Sequence, residues 1–301
     1  MDRFLLLTTF RRVVELDGFA AAARDLGLSN ASVSKHVAQL ESHLGVALLV
    51  RTTRRLSLTD AGRDYYRNAV HILDTLTEAD DQAGLAGVAP RGRIRMTAPM
   101  SLGLADLTDR LVDFRERHPE ITLDVLLDDR QVDLVEHGLD LAIRGAGPLA
   151  DSSLRGRRLT PMDRWLVASP RYLETRGTPT SPDQLTDHAC LAYSHAAEPD
   201  VWRFRRDGAE VEVGFSGPMR ISNSIAIVTA LVRGQGMALV PAFLVERELV
   251  AGQLARVLDR WESEPRSLHV LYPGHREHSA RVRALIDFLV ATYRERPLGR
   301  D

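Results

Sequence analysis

With 301 residues, 44% apolar and 27% charged, the chain has an ordinary globular composition, long enough for two or more folding units and neither disordered nor membrane-embedded. A net charge of −2 neither favours nor excludes nucleic acid, and since only Lys35 of the 39 basic residues is a lysine, arginine abundance carries no phosphate signal of its own. Lone Cys190 excludes an intrachain disulfide framework, and residues 1–20 mix Asp2, Arg3, Arg11, Arg12 and Glu15 with apolar positions, unlike a signal peptide, so a cytoplasmic protein with no membrane partner is expected.

Residues 3–16 place Phe4, Leu7, Phe10, Val13 and Val14 at helical spacing, and Asp17-Gly18 stops the run. A short second helix follows over 19–26, broken by Gly27. Ser29 or Asn30 can cap a third helix whose buried stripe is Val33, Val37, Leu40 and Leu44, before Gly45 ends it. Three short helices, the last two joined by a tight glycine turn, form a helix-turn-helix candidate. On the third helix a turn of about 100° per residue sets Ala31, Ser32, Lys35 and Gln39 opposite the stripe. Small residues there permit close approach, and donors at Asn30, Ser34, Lys35 and Gln39 can reach base edges and phosphates. A solvated helix face explains the same pattern taken alone.

Residues 48–59 read as two short β segments around a turn carrying Arg51, Arg54 and Arg55, a wing suited to phosphates or a narrow minor groove. Thr59-Asp60 then caps a long helix in which Ala61, Tyr65, Ala69, Ile72, Leu76, Ala79, Ala83 and Ala86 recur at spacings that mostly alternate between four and three. Such a seam favours a helix pair, and about 27 residues make a rod near 40 Å; one amphipathic helix packed on its own domain is the competing reading. Gly84, Gly87, Pro90 and Gly92 mark a linker.

Beyond it strands alternate with helices. Strands are expected at 93–97, 122–127, 140–144, 165–168, 219–222, 237–240 and 267–272, and helices at 101–117, 131–137, 224–234, 241–250 and 279–294. The alternation implies an α/β architecture with largely parallel sheets and ligand sites at strand ends and helix N-termini.

Catalysis finds little footing. His275 and His278 lack metalloprotease spacing, His188 near Cys190 has no second cysteine pair, and Gly234 with Gly236 reads as a helix C-cap rather than a phosphate cradle. Cys190 sits in a strand-like run as a core residue, and Asp128 and Asp129 have no assignable acid or base partner. Neither an enzyme nor a bound cofactor or metal is expected. A transport solute-binding protein is the other rival, opposed by the attached winged head.

The stretch AAARDLGLSNASVSKHVAQLESHLGVALLVRTTRRLSLTDAG, followed by a long helix and PRGRIRMTAP, resembles the LysR-type transcriptional regulators. DLVEHGLDLAIRGAGPLADSSLRGRRL, LVASPRYLETRGTPTSPDQL and GQGMALVPAFLVERELVAGQL carry the likeness through nearly the whole chain. The resemblance implies an α+β multidomain protein: an N-terminal winged helix-turn-helix (1–59), a long linker and dimerisation helix with its hinge (60–91), and an α/β periplasmic-binding-protein-like sensor (92–301). The sensor would comprise two subdomains, 92–162 plus 267–301 and 163–266. Ser29, Asn30, Ala31, Ser34 and Lys35 fall where the family contacts DNA, and Arg54 and Arg55 fall in its wing. Asn30 stands where the family usually carries Gln, and Ala31 where Pro or Ser is common.

The resemblance also implies double-stranded DNA as partner, dimers pairing into tetramers, contact with RNA polymerase, and a small effector in the cleft between subdomains. Expected cleft walls are Ala98, Pro99, Met100 and Ser101, then Asp128 to Arg130, Arg144, and Ser222, Asn223 and Ser224. Free N–H groups at helix starts near Ser101 or Ser224 would favour an anionic group, and the expected effector is a small carboxylated (anionic) or aromatic metabolite. Helix capping explains Ser101, Asn223 and Ser224 equally well, and an ion pair explains Arg144.

Overall fold

The computed structural model describes residues 2–51, 56–84, 90–146 and 154–299. The N-terminal unit consists of α1 (Arg3–Glu15), α2 (Phe19–Leu26), α3 (Asn30–Leu44), the antiparallel pair β1 (Leu49–Arg51) and β2 (Leu56–Leu58), and α4 (Asp60–Gly84). Asp2 caps α1 by accepting from the N–H groups of Phe4 and Leu5. Gly27, at φ +64°, turns the chain between α2 and α3 in the left-handed region that glycine tolerates best. Leu6, Phe10 and Val13 meet Ala22, Ala23, Val33, Val37 and Leu40 in one core, closed by Leu48 and by Tyr66 and Val70 of α4.

The C-terminal part runs β3 (Gly92–Ala98), α5 (Met100–Leu102), a π turn (Gly103–Leu107), α6 (Thr108–Arg117), β4 (Ile121–Leu127), β5 (Leu141–Ala146), β6 (Leu154–Pro161), β7 (Arg164–Ala168) and α7 (Pro170–Arg176). It continues with β8 (Ala192–Tyr193), β9 (Val201–Arg206), β10 (Ala209–Gly214), β11 (Arg220–Ile221), α8 (Ser224–Val232), β12 (Met237–Pro241), α9 (Glu246–Val250), β13 (Ala255–Arg256), β14 (Glu262–Ser263), β15 (Ser267–Pro273) and α10 (Ala280–Glu295).

Five strands form one sheet in the order β4-β3-β5-β15-β6. Ile94, Met96, Ile143 and Val270 of this sheet pack on Leu285 and Leu289 of α10 and Phe114 of α6. A second body holds β12-β7-β13, the pair β11-β8 joined to β12 by a Cys190–Met237 bridge, and β10-β9-β14. The chain passes between the bodies at Met162-Asp163 and again at Glu264 to Arg266, and the Met162 N–H donates to the Arg266 carbonyl at 2.9 Å, clasping the two crossings together.

The expectation of largely parallel sheets is corrected. β3 runs parallel to β4 and β5, but β15 is antiparallel to β5 and β6, and β12 and β13 are antiparallel to β7. Strands delivered by the crossings arrive from the far body and so run against their neighbours. The expected helix at 131–137 is a turn: Asp133 Oδ1 accepts from the N–H groups of Val135 and Glu136, and Gly138, at φ +58°, reverses the chain after one coil. Within 101–117 the π turn interrupts the helix where Gly103 presses on Leu127, and Thr108 Oγ1 donates to the Gly103 carbonyl at 2.7 Å. Residues 241–250 divide into a 3-10 turn, Ala242–Leu244, and α9. The strand expected at 219–222 shortens to β11.

The N-terminal unit touches the first sheet at a charged seam. Glu15, its side chain 3% exposed, binds Arg11 and Arg12 of its own helix and Arg95 of β3 at 3.3 Å. Burial pushes the Glu15 carboxyl up, but Arg11, with Arg12 and Arg95, outweighs burial and holds it below its ordinary range.

Candidate nucleic-acid interface and ligand cleft

Helix α3 begins at Ser29, whose hydroxyl accepts from the Ser32 N–H at 3.1 Å and lies 2.8 Å from the Ser32 hydroxyl. These two serines therefore fix the helix start. Asn30, Ala31, Lys35 and Gln39 are exposed, Ser34 is half-buried, and Val33, Val37 and Leu40 are buried on the opposite side. Glu41, at the other end, accepts from the N–H groups of Leu48 and Leu49 at 2.8 and 3.1 Å, which ties α3 to β1. The base of the wing is thereby anchored to α3. Arg51 pairs with Leu56 through the β1–β2 ladder; Arg54 and Arg55 lie outside the described residues.

The seam expected along α4 divides. Tyr65 and Ala69 pack into the N-terminal unit, whereas Ile72 and Leu76 are 46% and 38% exposed and Ala79 is also exposed. Ala86 lies outside the described residues. Phe4 and Leu5 of α1 add exposed apolar surface.

The two sensor bodies enclose a cavity of about 470 Å³. Of the expected walls, Pro99, Ser101, Asp129, Arg144 and Ser224 line it. Ala98 is buried in the sheet core, Ser222 is exposed, and Met100 contributes its backbone N–H to Asp129 Oδ1 at 3.1 Å. Asp128 and Arg130 bind each other beside the mouth, where hydrogen bonds from the Arg130 side chain and backbone bring the Asp128 carboxyl down to about 2. Asn223 Oδ1 accepts from the Ile225 and Ala226 N–H groups, capping α8, while its Nδ2 donates to Asp129 Oδ2 at 3.0 Å. That residue therefore serves as a cap and as a tie between the bodies. Arg144 donates to the carbonyls of Ile143 and Arg130 and to Thr97 Oγ1. Burial lowers its affinity for the proton, against the pull of Asp128 and Asp129.

Several cleft residues escape the sequence reading. Burial, reinforced by Asp129, pushes the Tyr193 phenol up to about 12, leaving a neutral O–H at the wall. Arg164, Glu264 and Arg266 line the hinge side, with apolar surface from Met162, Phe243 and Leu268. Their signal was positional: polar residues at the two points where a chain crosses between lobes. Among the described residues no cluster of three His, Cys, Asp or Glu side chains could hold a metal, and no helix is long and apolar enough to cross a membrane.

The arrangement has known counterparts. Residues 4–63 match the model described as "Bacterial regulatory helix-turn-helix protein, lysR family", and residues 88–294 match the "LysR substrate binding domain". The chain belongs to the LysR family. It is 37% identical over 285 residues to an HTH-type transcriptional regulator of Xanthomonas campestris pv. campestris, covering 93% of this chain and 83% of that one. An HTH-type transcriptional repressor of Pseudomonas aeruginosa is 34% identical over 299 residues, with 99% and 94% covered. Among solved structures, CrgA of Neisseria meningitidis superposes with a TM-score of 0.61 at 32% identity, covering 95% and 97% of the chains. Full-length AphB of Vibrio cholerae gives 0.62 at 29%, covering 96% and 99%. This LysR-family protein is a DNA-binding transcriptional regulator with an effector-binding domain, not an enzyme.

Proposed function

We propose that the regulator works in the cytoplasm as a homodimer, able to pair further into a tetramer, with α4 as the dimerisation rod. Ile72 and Leu76 support the dimer: they lie uncovered on a helix whose preceding turns are already spent on the N-terminal core. Two α3 helices held by such rods address successive major-groove half-sites, with Asn30, Ala31, Lys35 and Gln39 toward the bases and wing arginines toward phosphates. The working divisions are 1–59 for DNA, 60–91 for the rod and hinge, and 92–301 for sensing, with lobes 92–162 plus 267–301 and 163–266.

A small anionic or aromatic metabolite in the cleft changes the relation of the lobes and thereby the spacing of the DNA heads and contact with RNA polymerase. It does so only by binding one arrangement more tightly than another. The exposed α3 face, joined to β1 through Glu41, carries this reading. Fluorescence anisotropy on the duplex upstream of the regulator's own gene tests it: binding that weakens steeply with salt is expected. A stable monomer without attraction to that or any other duplex at low ionic strength would overturn the dimer and the assigned docking face.

A further inference from the structure

We propose that the hinge side of the cleft receives a carboxylate of the effector between Arg164 and Arg266, with apolar parts of the ligand against Met162, Phe243 and Leu268. This rests on reading the cleft as the effector site and adds the ligand's chemical class and its anchoring residues.

Three charged groups meet where the chain crosses between lobes. Arg164 opens β7, Arg266 precedes β15, and Glu264 stands between them. Glu264 faces both arginines, yet the Nη2 atoms of Arg164 and Arg266 lie 4.0 and 3.7 Å from its Oε2. A charge-assisted N–H···O bond closes to about 2.8 Å, so neither contact is one. The Nε atoms of both guanidiniums are buried and lack a hydrogen-bond partner. Two cations thus share one carboxylate that neither Nη2 closes on, and the hinge carries one positive charge in surplus.

The other arginines of the wall are answered. Arg203 binds Glu198 at 2.7 Å and Glu212 at 2.9 Å, and Arg144 spends its guanidinium on Thr97 and two carbonyls, with Asp128 and Asp129 opposing its charge. Among the described residues the surplus positive charge of the cleft therefore sits at its hinge. Burial draws the Arg164 guanidinium down to about 10, with Arg266 adding to the effect and Glu264 opposing it. Even so Arg164 stays charged at neutral pH. Both arginines line the cavity, and guanidinium N–H donors suit a carboxylate, whose two oxygens can each accept one. Because Met162 and Arg266 are bonded through their backbones at this point, an anion here would act on both crossings at once.

The test uses the full-length protein and matched probes: benzoate against benzamide, and succinate against succinamide, at millimolar concentration in thermal-shift and calorimetric titrations. The carboxylates should stabilise the protein and the amides should not. Arg266→Gln and, separately, Arg164→Gln should weaken carboxylate binding about 10- to 100-fold. Without ligand, Arg266→Gln should melt at or above the wild-type temperature, since one cation then remains opposite Glu264. A drop of several degrees would make Arg266 structural and overturn the proposal, as would the lack of response to either carboxylate. Ser101→Trp, which fills the cavity, separates the two levels of the reading. If benzamide binds wild type and the Arg266→Gln protein equally but not Ser101→Trp, the cleft holds ligands and the anion anchor is wrong. Binding that survives in Ser101→Trp removes the cleft itself.

Discussion

Asn223 reaches across the cleft to Asp129, Nδ2 donating to Oδ2 at 3.0 Å, while its own Oδ1 closes the first turn of α8. One side chain thus couples local helix stability to closure of the two lobes. Asn223→Ala should cost about 1 kcal/mol through the lost cap and leave the cleft more open. Asn223→Asp keeps an acceptor for the cap but sets a second carboxylate against Asp129, so it should open the lobes without the full loss of helix stability. Small-angle scattering and hydrogen exchange at Ile225 and Ala226 separate the effects; identical exchange in all three proteins would count against the double role.

Lys35 is exposed on α3, whereas Ser29 caps the start of that helix. Lys35→Ala should lower DNA affinity about tenfold at low salt, reduce the salt slope by about one and leave melting unchanged. Ser29→Ala, which removes the cap onto Ser32, should instead lower stability by about 1 kcal/mol. Anisotropy titrations at several salt concentrations alongside thermal melts check both.

Glu15 makes the joint between the DNA head and the sensor pH-dependent. Its folded carboxyl sits below the unfolded value of about 4.3, so its contribution is present above that value and disappears as pH falls through the folded one. Glu15→Gln should destabilise the protein by about 3 kcal/mol near neutrality, because Arg95 and Arg11 lose a buried partner. The variant should also lose less stability than wild type on acidification below about pH 4. Melting temperature against pH would show two curves converging in acid; parallel curves would rule the linkage out.

Cys190 is fully buried, and burial pushes its thiol up to about 12. At neutral pH the thiolate is negligible, so alkylation of the folded protein should proceed at the rate of unfolding. Intact-mass spectra after iodoacetamide should show one adduct only when denaturant is present, and rapid labelling in buffer would contradict the buried placement.

Leu76→Asp tests the rod. A charge on this uncovered stripe of α4 should raise the dimer dissociation constant at least about tenfold and weaken DNA binding in parallel, since two heads no longer act together. Sedimentation velocity and anisotropy on the same preparation should move in step.

Much of the N-terminal unit was legible because its determinants are local. Apolar residues at helical spacing, Ser29 before α3 and glycines after α2 and α3 are short-range signals, and the structure uses each of them. Strand β6 was not legible, since LRGRRLTP lies at an edge of the first sheet, exposed over half its length, where no apolar alternation is required. The β9–β10 hairpin did carry a local sign, Asp207-Gly208 with both residues at positive φ. The turn at 131–137 misled because Val132, Leu134 and Val135 imitate a helical stripe while Asp133 and Gly138 close it early.

By itself the sequence determined where the helices of the N-terminal unit begin and stop and which face of α3 stays out of the core, because those outcomes depend on neighbours a few residues away. Strand direction, the division of α4 between its own core and an uncovered stripe, and the meeting of Arg164 with Glu264 and Arg266 were decided only by tertiary structure. Arg164 and Glu264 stand a hundred positions apart, and no local pattern around Arg164 records which distant chain will supply the opposing charge.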